Sequence, residues 1–308
     1  MINCKYLILI TIAIFLCNIT YSQPKDFKYY KYSYVVIPKQ DSFYLKNDFV
    51  ASIKFNLIQV DSLGNVVNPH NYVIAQDYAQ LKMIDSAFYF LEKYIDIPKD
   101  YRSVFVEPDF QILRQYKEKW QIIEEKINNF FLMELDSGHN KEFALKLFHL
   151  AIEESKYSFA SIFKDDKTIS FKQDIKNQRD IKKKYKKLVR KYGFPTPSLV
   201  GKSASMFAFY ILQHSLIENK YYTMAKKAYE KGDYNPEFYA LLTDRYLVQN
   251  NKKQIFGTQF SKTPEQTEFI LNEVEDFKNL NKRRAELGLS TIEEYAKKIN
   301  GIIPEEYY

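Results

Sequence analysis

Gly201, Lys202 and Ser203 are residues of the types that handle phosphate, and they head the apolar run "SMFAFYILQHS", Ser205 to Ser215. A phosphate-binding loop presents such a triplet at the start of a helix. It also needs a glycine five positions earlier, so that backbone N–H groups can wrap the phosphates, and Thr196 stands there. Pro195 and Pro197 remove two further N–H donors from the same segment. The triplet is therefore a lookalike. No Gly-x-Ser-x-Gly elbow, His-Glu-x-x-His pair, Gly-x-Gly-x-x-Gly turn or calcium loop occurs elsewhere. His70, His139, His149 and His214 are too scattered to form a metal cage by spacing, and no cofactor is implied.

The remaining candidates are polar residues set in apolar surroundings. Gln213 and His214 close the run quoted above, while Asp244 and Arg245 lie among Leu241, Leu242, Leu247 and Val248. Charges in an apolar helix are costly unless paired, so each needs a partner. Gln254 and Gln259 lie a few residues on, in "QIFGTQF". One reading gathers these residues around a pocket, with His214 as proton shuttle, Asp244 as its orienting partner and Arg245 as anion holder. Gln213, Gln254 and Gln259 then supply amide contacts to a ligand. The other makes them a buried polar network that fixes how the helices cross.

The elements that must position them are mainly α. "NYVIAQDYAQLKMIDSAFYFLEKYIDIP", Asn71 to Pro98, carries two helical patterns separated around Met83 to Asp85. Tyr78, Ala87 and Leu91 fall at interlocking positions of a tetratricopeptide repeat, with Asn71 and Ala75 at that pattern's Trp and Gly positions. "VEPDFQILRQYKEKWQIIEEKI" reads as a further helical stretch with Trp120 packed beside Leu113 and Ile123. "ELDSGHN", Glu134 to Asn140, is the linker candidate, dividing a helical region over residues 23–135 from a mostly helical domain over residues 140–301. Beyond it come a helix around Glu142 to Ile162, a polar connector near Lys164 to Thr168, and a basic helix. From Lys176 to Lys191 that helix holds nine basic residues and one acid, with Ile181, Tyr185, Leu188, Val189 and Tyr192 at helical spacing, so its lysines face outward. Asn235 and Pro236 open a helix, "KQIFGTQF" alternates as a short strand would, and Ser290 with Glu293 reads as a capping box.

Read together, "YGFPTPSLVG", "QHS", "LLTDR", "QIFGTQF" and "RRAELGLSTIEEY", in that order, resemble the bacterial family catalogued as domain of unknown function 6624, over roughly Glu142 to Ile299. The family pattern continues Gln-His-x with an acidic residue where Leu216 stands. "ESKYS", Glu154 to Ser158, replaces its Asp-Gln-x-x-Arg. The resemblance implies no activity.

The beginning of the chain points to export. Lys5 precedes the apolar stretch Tyr6 to Leu16, and Thr20-x-Ser22 gives a small-x-small site for cleavage before Gln23. The stretch is short for a membrane span, which needs roughly 20 residues, and Leu16 before Cys17 disfavours a lipid anchor. Cleavage would remove both cysteines, Cys4 and Cys17, and with them disulfide and thiol chemistry. It would also leave 44 basic and 38 acidic residues, so the excess charge is that of the basic helix. The expectation is an exported protein, periplasmic or extracellular, that binds a ligand or a protein. The alternative is a cell-envelope hydrolase or other enzyme using His214 and Asp244. Lys182 to Lys191 could meet an anionic surface, and export argues against nucleic acid.

Overall fold

A computed structural model of the chain describes residues 47–63, 68–96, 101–163, 171–214, 216–262 and 268–307. The expected signal segment and the connector near Lys164 lie outside these residues. Their contacts divide them into two units, one ending at Asp136 and the other beginning at Ser137.

In the first unit α1 (Phe49–Leu63), α2 (Asn68–Gln80) and α3 (Ile84–Tyr94) pack in series. The turn between α2 and α3 passes through Lys82 in the left-handed region, and Tyr78 stacks on Phe90 across it at 5.6 Å. This is the helix pair expected around Met83. The helical stretch expected from Val106 to Ile127 is built in pieces. After α4 (Arg102–Val106), Glu107 and Pro108 start a 3-10 turn, a second follows at Leu113–Gln115, and α5 (Lys117–Met133) begins only after Tyr116 leaves the helical region. Trp120 is buried edge-on to Phe105 at 6.4 Å and donates from Nε1 to Glu124 at 2.7 Å, the packing role its apolar neighbours predict.

One residue of this unit is out of keeping with its surroundings. Asp77 on α2 is fully buried, and neither carboxylate oxygen has a hydrogen-bond partner of good geometry among the described residues. Desolvation pushes its carboxyl up to about 7; the nearby Ser52 hydroxyl opposes the shift and the charge of Asp109 adds to it. Asp109 itself accepts from the amides of Gln76 and Gln80.

The second unit is a helical layer with a small sheet. It runs through α6 (Lys141–Phe163), α7 (Phe171–Tyr192), α8 (Pro197–Val200), α9 (Lys202–Gln213), α10 (Asn219–Glu230) and α11 (Pro236–Gln249). Apolar nearly all round, α9 is buried against α6, α7 and α11. On α7 the residues Ile181, Tyr185 and Val189 are buried and the lysines point outward, as their spacing predicts. Asn235 caps α11, accepting from Glu237 and Phe238 N–H ahead of Pro236 at the first turn. Then β1 (Phe260–Ser261) pairs antiparallel with β2 (Phe269–Leu271), which pairs parallel with β3 (Gly301–Ile302). Between β2 and β3 lie α12 (Leu280–Glu286) and α13 (Ile292–Ile299), and their Leu280, Ile292 and Ala296 share a core with Phe260, Leu271 and Val274. The capping box on α13 is Thr291 with Glu294, one residue later than Ser290 and Glu293. The carbonyl of Ser290, just before the box, accepts from Arg284.

Candidate functional site

Asp244 lies on the inner side of α11 with no exposed surface. Its Oδ1 accepts the N–H groups of Ile255 at 2.8 Å and Phe256 at 3.0 Å. Its Oδ2 accepts Thr258 N–H at 2.8 Å and the Thr258 hydroxyl at 2.9 Å. Burial raises the carboxyl above its ordinary range, and these bonds pull against that rise. The loop can close on one carboxylate because Gly257 takes φ +67 and sits against Leu280 and Ile292, where a side chain would be strained. This is why "KQIFGTQF" is not the strand its alternation predicts: only Phe260 and Ser261 pair in the sheet, and the residues before them wrap the aspartate. Gln254 ties the same loop. Its Oε1 accepts Gln259 N–H at 2.8 Å, and its Nε2 donates to the carbonyls of Gln259 at 3.0 Å and Asn272 at 2.7 Å. Gln259 donates its own amide to the Thr258 hydroxyl at 3.1 Å. Asp244, Gln254 and Gln259 therefore meet, and they close on each other.

His214 stands apart from them. It follows α9 and its Nδ1 lies 2.5 Å from Oε1 of Glu154 on α6, with both side chains largely buried. The expected His214–Asp244 pairing is corrected on this point: the carboxylate beside the imidazole is that of Glu154, because the donors of the 255–258 loop engage Asp244. His214 Nε2 and Gln213 Nε2 are buried without a hydrogen-bond partner among the described residues. Arg245 is corrected too. Its guanidinium is buried, pulled down to about 10 by desolvation, and donates from Nη1 to the Gln213 carbonyl. It caps the last turn of α9, where free carbonyls carry the negative end of the helix dipole, and does not present an open anion hook. Gln249 finishes the corner by bonding both the N–H and the carbonyl of Ile217.

The open space is elsewhere. A cleft of ≈ 520 Å³ lies between the start of α9 and the turn into α11, lined by Lys202, Met206, Tyr210, Tyr234, Glu237 and Phe238 among others. The phosphate-loop lookalike forms one wall of it. Pro197 starts the short helix α8, and Gly201, at φ +80, turns the chain from α8 into α9, so the segment is helical where a phosphate loop would be open. Asp233 also lines the cleft; burial would raise its carboxyl, and the N–H and hydroxyl of Ser198 outweigh this and keep it below the usual range. Lys202 and Glu237 carry no side-chain hydrogen bond or ion pair among the described residues. Phe238 stacks on the buried Phe209 at 4.3 Å, which makes the aromatic wall rigid.

Both polar networks and the cleft are built from the quoted motifs and the turns between them. Residues 169–303 match the family of unknown function DUF6624. Neither the curated proteins nor the solved structures gave a match to the chain.

The DUF6624 match takes in all five motifs but begins later than Glu142, where the resemblance was expected to start, and Glu154 falls outside it. Within the DUF6624 segment the sequence reading passed over Arg283 and Arg284. Arg284 is almost fully buried, donates to the carbonyls of Ser290 and Phe256 at 2.6 Å each, and lies over the Tyr295 ring at 5.0 Å. Arg283 bonds the carbonyls of Ile255, Glu275 and Asp276. A pair of arginines at the head of "RRAELGLSTIEEY" was the available signal, since Arg is the residue best made to collect several carbonyls at once.

Proposed function

We propose that this is an exported protein whose DUF6624 segment is a ligand-binding module, and that the ligand enters the cleft between α9 and α11. One observation carries the reading: a cleft of ≈ 520 Å³ lined by Lys202 and Glu237, neither in an ion pair among the described residues, beside Tyr210, Tyr234 and Phe238, with the Asp233 carboxylate tied to Ser198. That volume suits a small ligand. Opposite charges over aromatic surface suit a zwitterion with an apolar middle, such as a short peptide with free ends. The hydrolase alternative loses support because Asp244 is held by four donors of its own loop. Export rests on Lys5, the apolar stretch to Leu16 and Thr20-x-Ser22.

Calorimetric titration with aromatic tripeptides tests the binding reading. Peptides with free ends should bind, blocking both ends should weaken binding, and Lys202→Gln and Glu237→Gln should each cost about tenfold in affinity. Equal binding of free and blocked peptides, or none, would remove the peptide from consideration. Export is tested separately by mass spectrometry of the protein isolated from its native host. The N-terminus should lie at or near Gln23, and a chain starting at Met1 or lipidated at Cys17 would refute it.

A further inference from the structure

The basic residues of α7 are of two kinds. Lys182 and Lys186 share Glu218 at 3.2 and 2.5 Å, Lys184 pairs with Glu153, and Lys191 lies 3.7 Å from Glu142. Lys176, Arg179, Lys183, Lys187 and Arg190 are all exposed, and none has an ion pair among the described residues. The five unpaired residues follow one another at steps of three, four, four and three. With about 100° between successive helical residues they fall within about 80° of the helix circumference, in a row about 21 Å long. Their neighbour Asp180 is the one acid on this side of α7, and Glu153 of α6, which shares a hollow with Asp180, Lys183 and Lys187, is engaged by Lys184.

From this row we infer that the protein docks on an anionic lipid bilayer through the outer face of α7. The inference is independent of the cleft. The partnered lysines lie where neighbouring helices offer carboxylates; within the row, Lys183 and Lys187 border a hollow beside Glu153, whose carboxylate Lys184 already engages. A straight row on one side of a helix matches a flat sheet of lipid phosphates. A single nucleic-acid strand is gripped by stacking on aromatic side chains, and the tyrosines of α7 do not offer this. Tyr185 is buried edge-on to Tyr221, and Tyr192 is stacked on Phe143. Near a membrane surface each basic residue strengthens binding about fivefold, and the attraction fades within about 10 Å at ordinary salt.

The test is co-sedimentation of the whole protein with vesicles of phosphatidylcholine alone and of phosphatidylcholine mixed with phosphatidylglycerol. The wild type should sediment with the mixed vesicles only, and raised salt should release it. The triple variant Lys183→Gln, Lys187→Gln, Arg190→Gln should bind about 100-fold more weakly, at about fivefold for each charge removed. The control Lys182→Gln, Lys186→Gln, Lys191→Gln loses the same net charge from partnered positions and should lose several-fold less. Both variants should keep the wild-type melting temperature within a few degrees, since exposed charges contribute little to stability. Equal loss by the two variants, binding to neutral vesicles, or binding to a soluble polyanion such as heparin with none to vesicles would each overturn the inference.

Discussion

Asp244→Ala destabilises the second unit by about 4–5 kcal/mol, the larger of two effects expected from single substitutions. The alanine leaves the N–H groups of Ile255, Phe256 and Thr258 and the Thr258 hydroxyl without their acceptor. A stranded buried donor costs about 1–3 kcal/mol, and partial entry of water limits the sum. Asp244→Asn retains one acceptor oxygen and should lose about half as much. Since a domain is stable by only about 5–15 kcal/mol, the alanine variant should show a visibly lower urea midpoint. His214→Ala removes one contact at the edge of the same unit and should cost about 1–2 kcal/mol. If Asp244→Ala proved as mild as His214→Ala, the aspartate would not be what holds the loop.

Asp77→Asn works in the opposite direction. The folded protein holds this carboxyl near 7 against an ordinary value of 3.8, so between those limits the folded state keeps a proton that the unfolded state releases. Stability is then fully present below about pH 4, falls as pH rises through 7, and levels off above. Each unit of pKa difference is 1.36 kcal/mol, which sets a ceiling of about 4 kcal/mol on the penalty at neutral pH. The asparagine variant removes the ionisable group and should be more stable by about 2–4 kcal/mol at pH 7 and no more stable at pH 4. Melting temperatures of the two proteins across that range decide the matter, and parallel curves would show that Asp77 stays ionised at no cost.

The helices were legible in the sequence because each presents an apolar stripe or a cap. Examples are the outward lysines of α7 over Ile181, Tyr185 and Val189, and Asn235 ahead of Pro236. The sheet was not, since strands of two or three residues are too short to show alternation. The polar residues of the site were legible by type and not by partner. A charged residue among leucines announces that it is paired, and nothing local says with what. His214 meets a carboxylate sixty positions away, and Asp244 meets a loop whose curvature depends on the left-handed Gly257. Asp77 was hidden for a related reason: its helix carries no strong apolar stripe, so the buried face could not be told from the exposed one.

The clasp of Asp244 on residues 255–258 bears on how the second unit comes apart. A sheet of such short strands has little stability of its own, and its first strand follows directly on the clasped loop. The sheet and α11 should therefore open as a single cooperative block. In native-state hydrogen exchange the amides of Phe256 and Thr258 should keep pace with those in the middle of α11, with protection close to that of global unfolding, while the last turn of α13 exchanges through local fraying. A loop flanking a minor sheet would ordinarily be among the first segments to open; here it should belong to the slowest-exchanging nucleus of the unit.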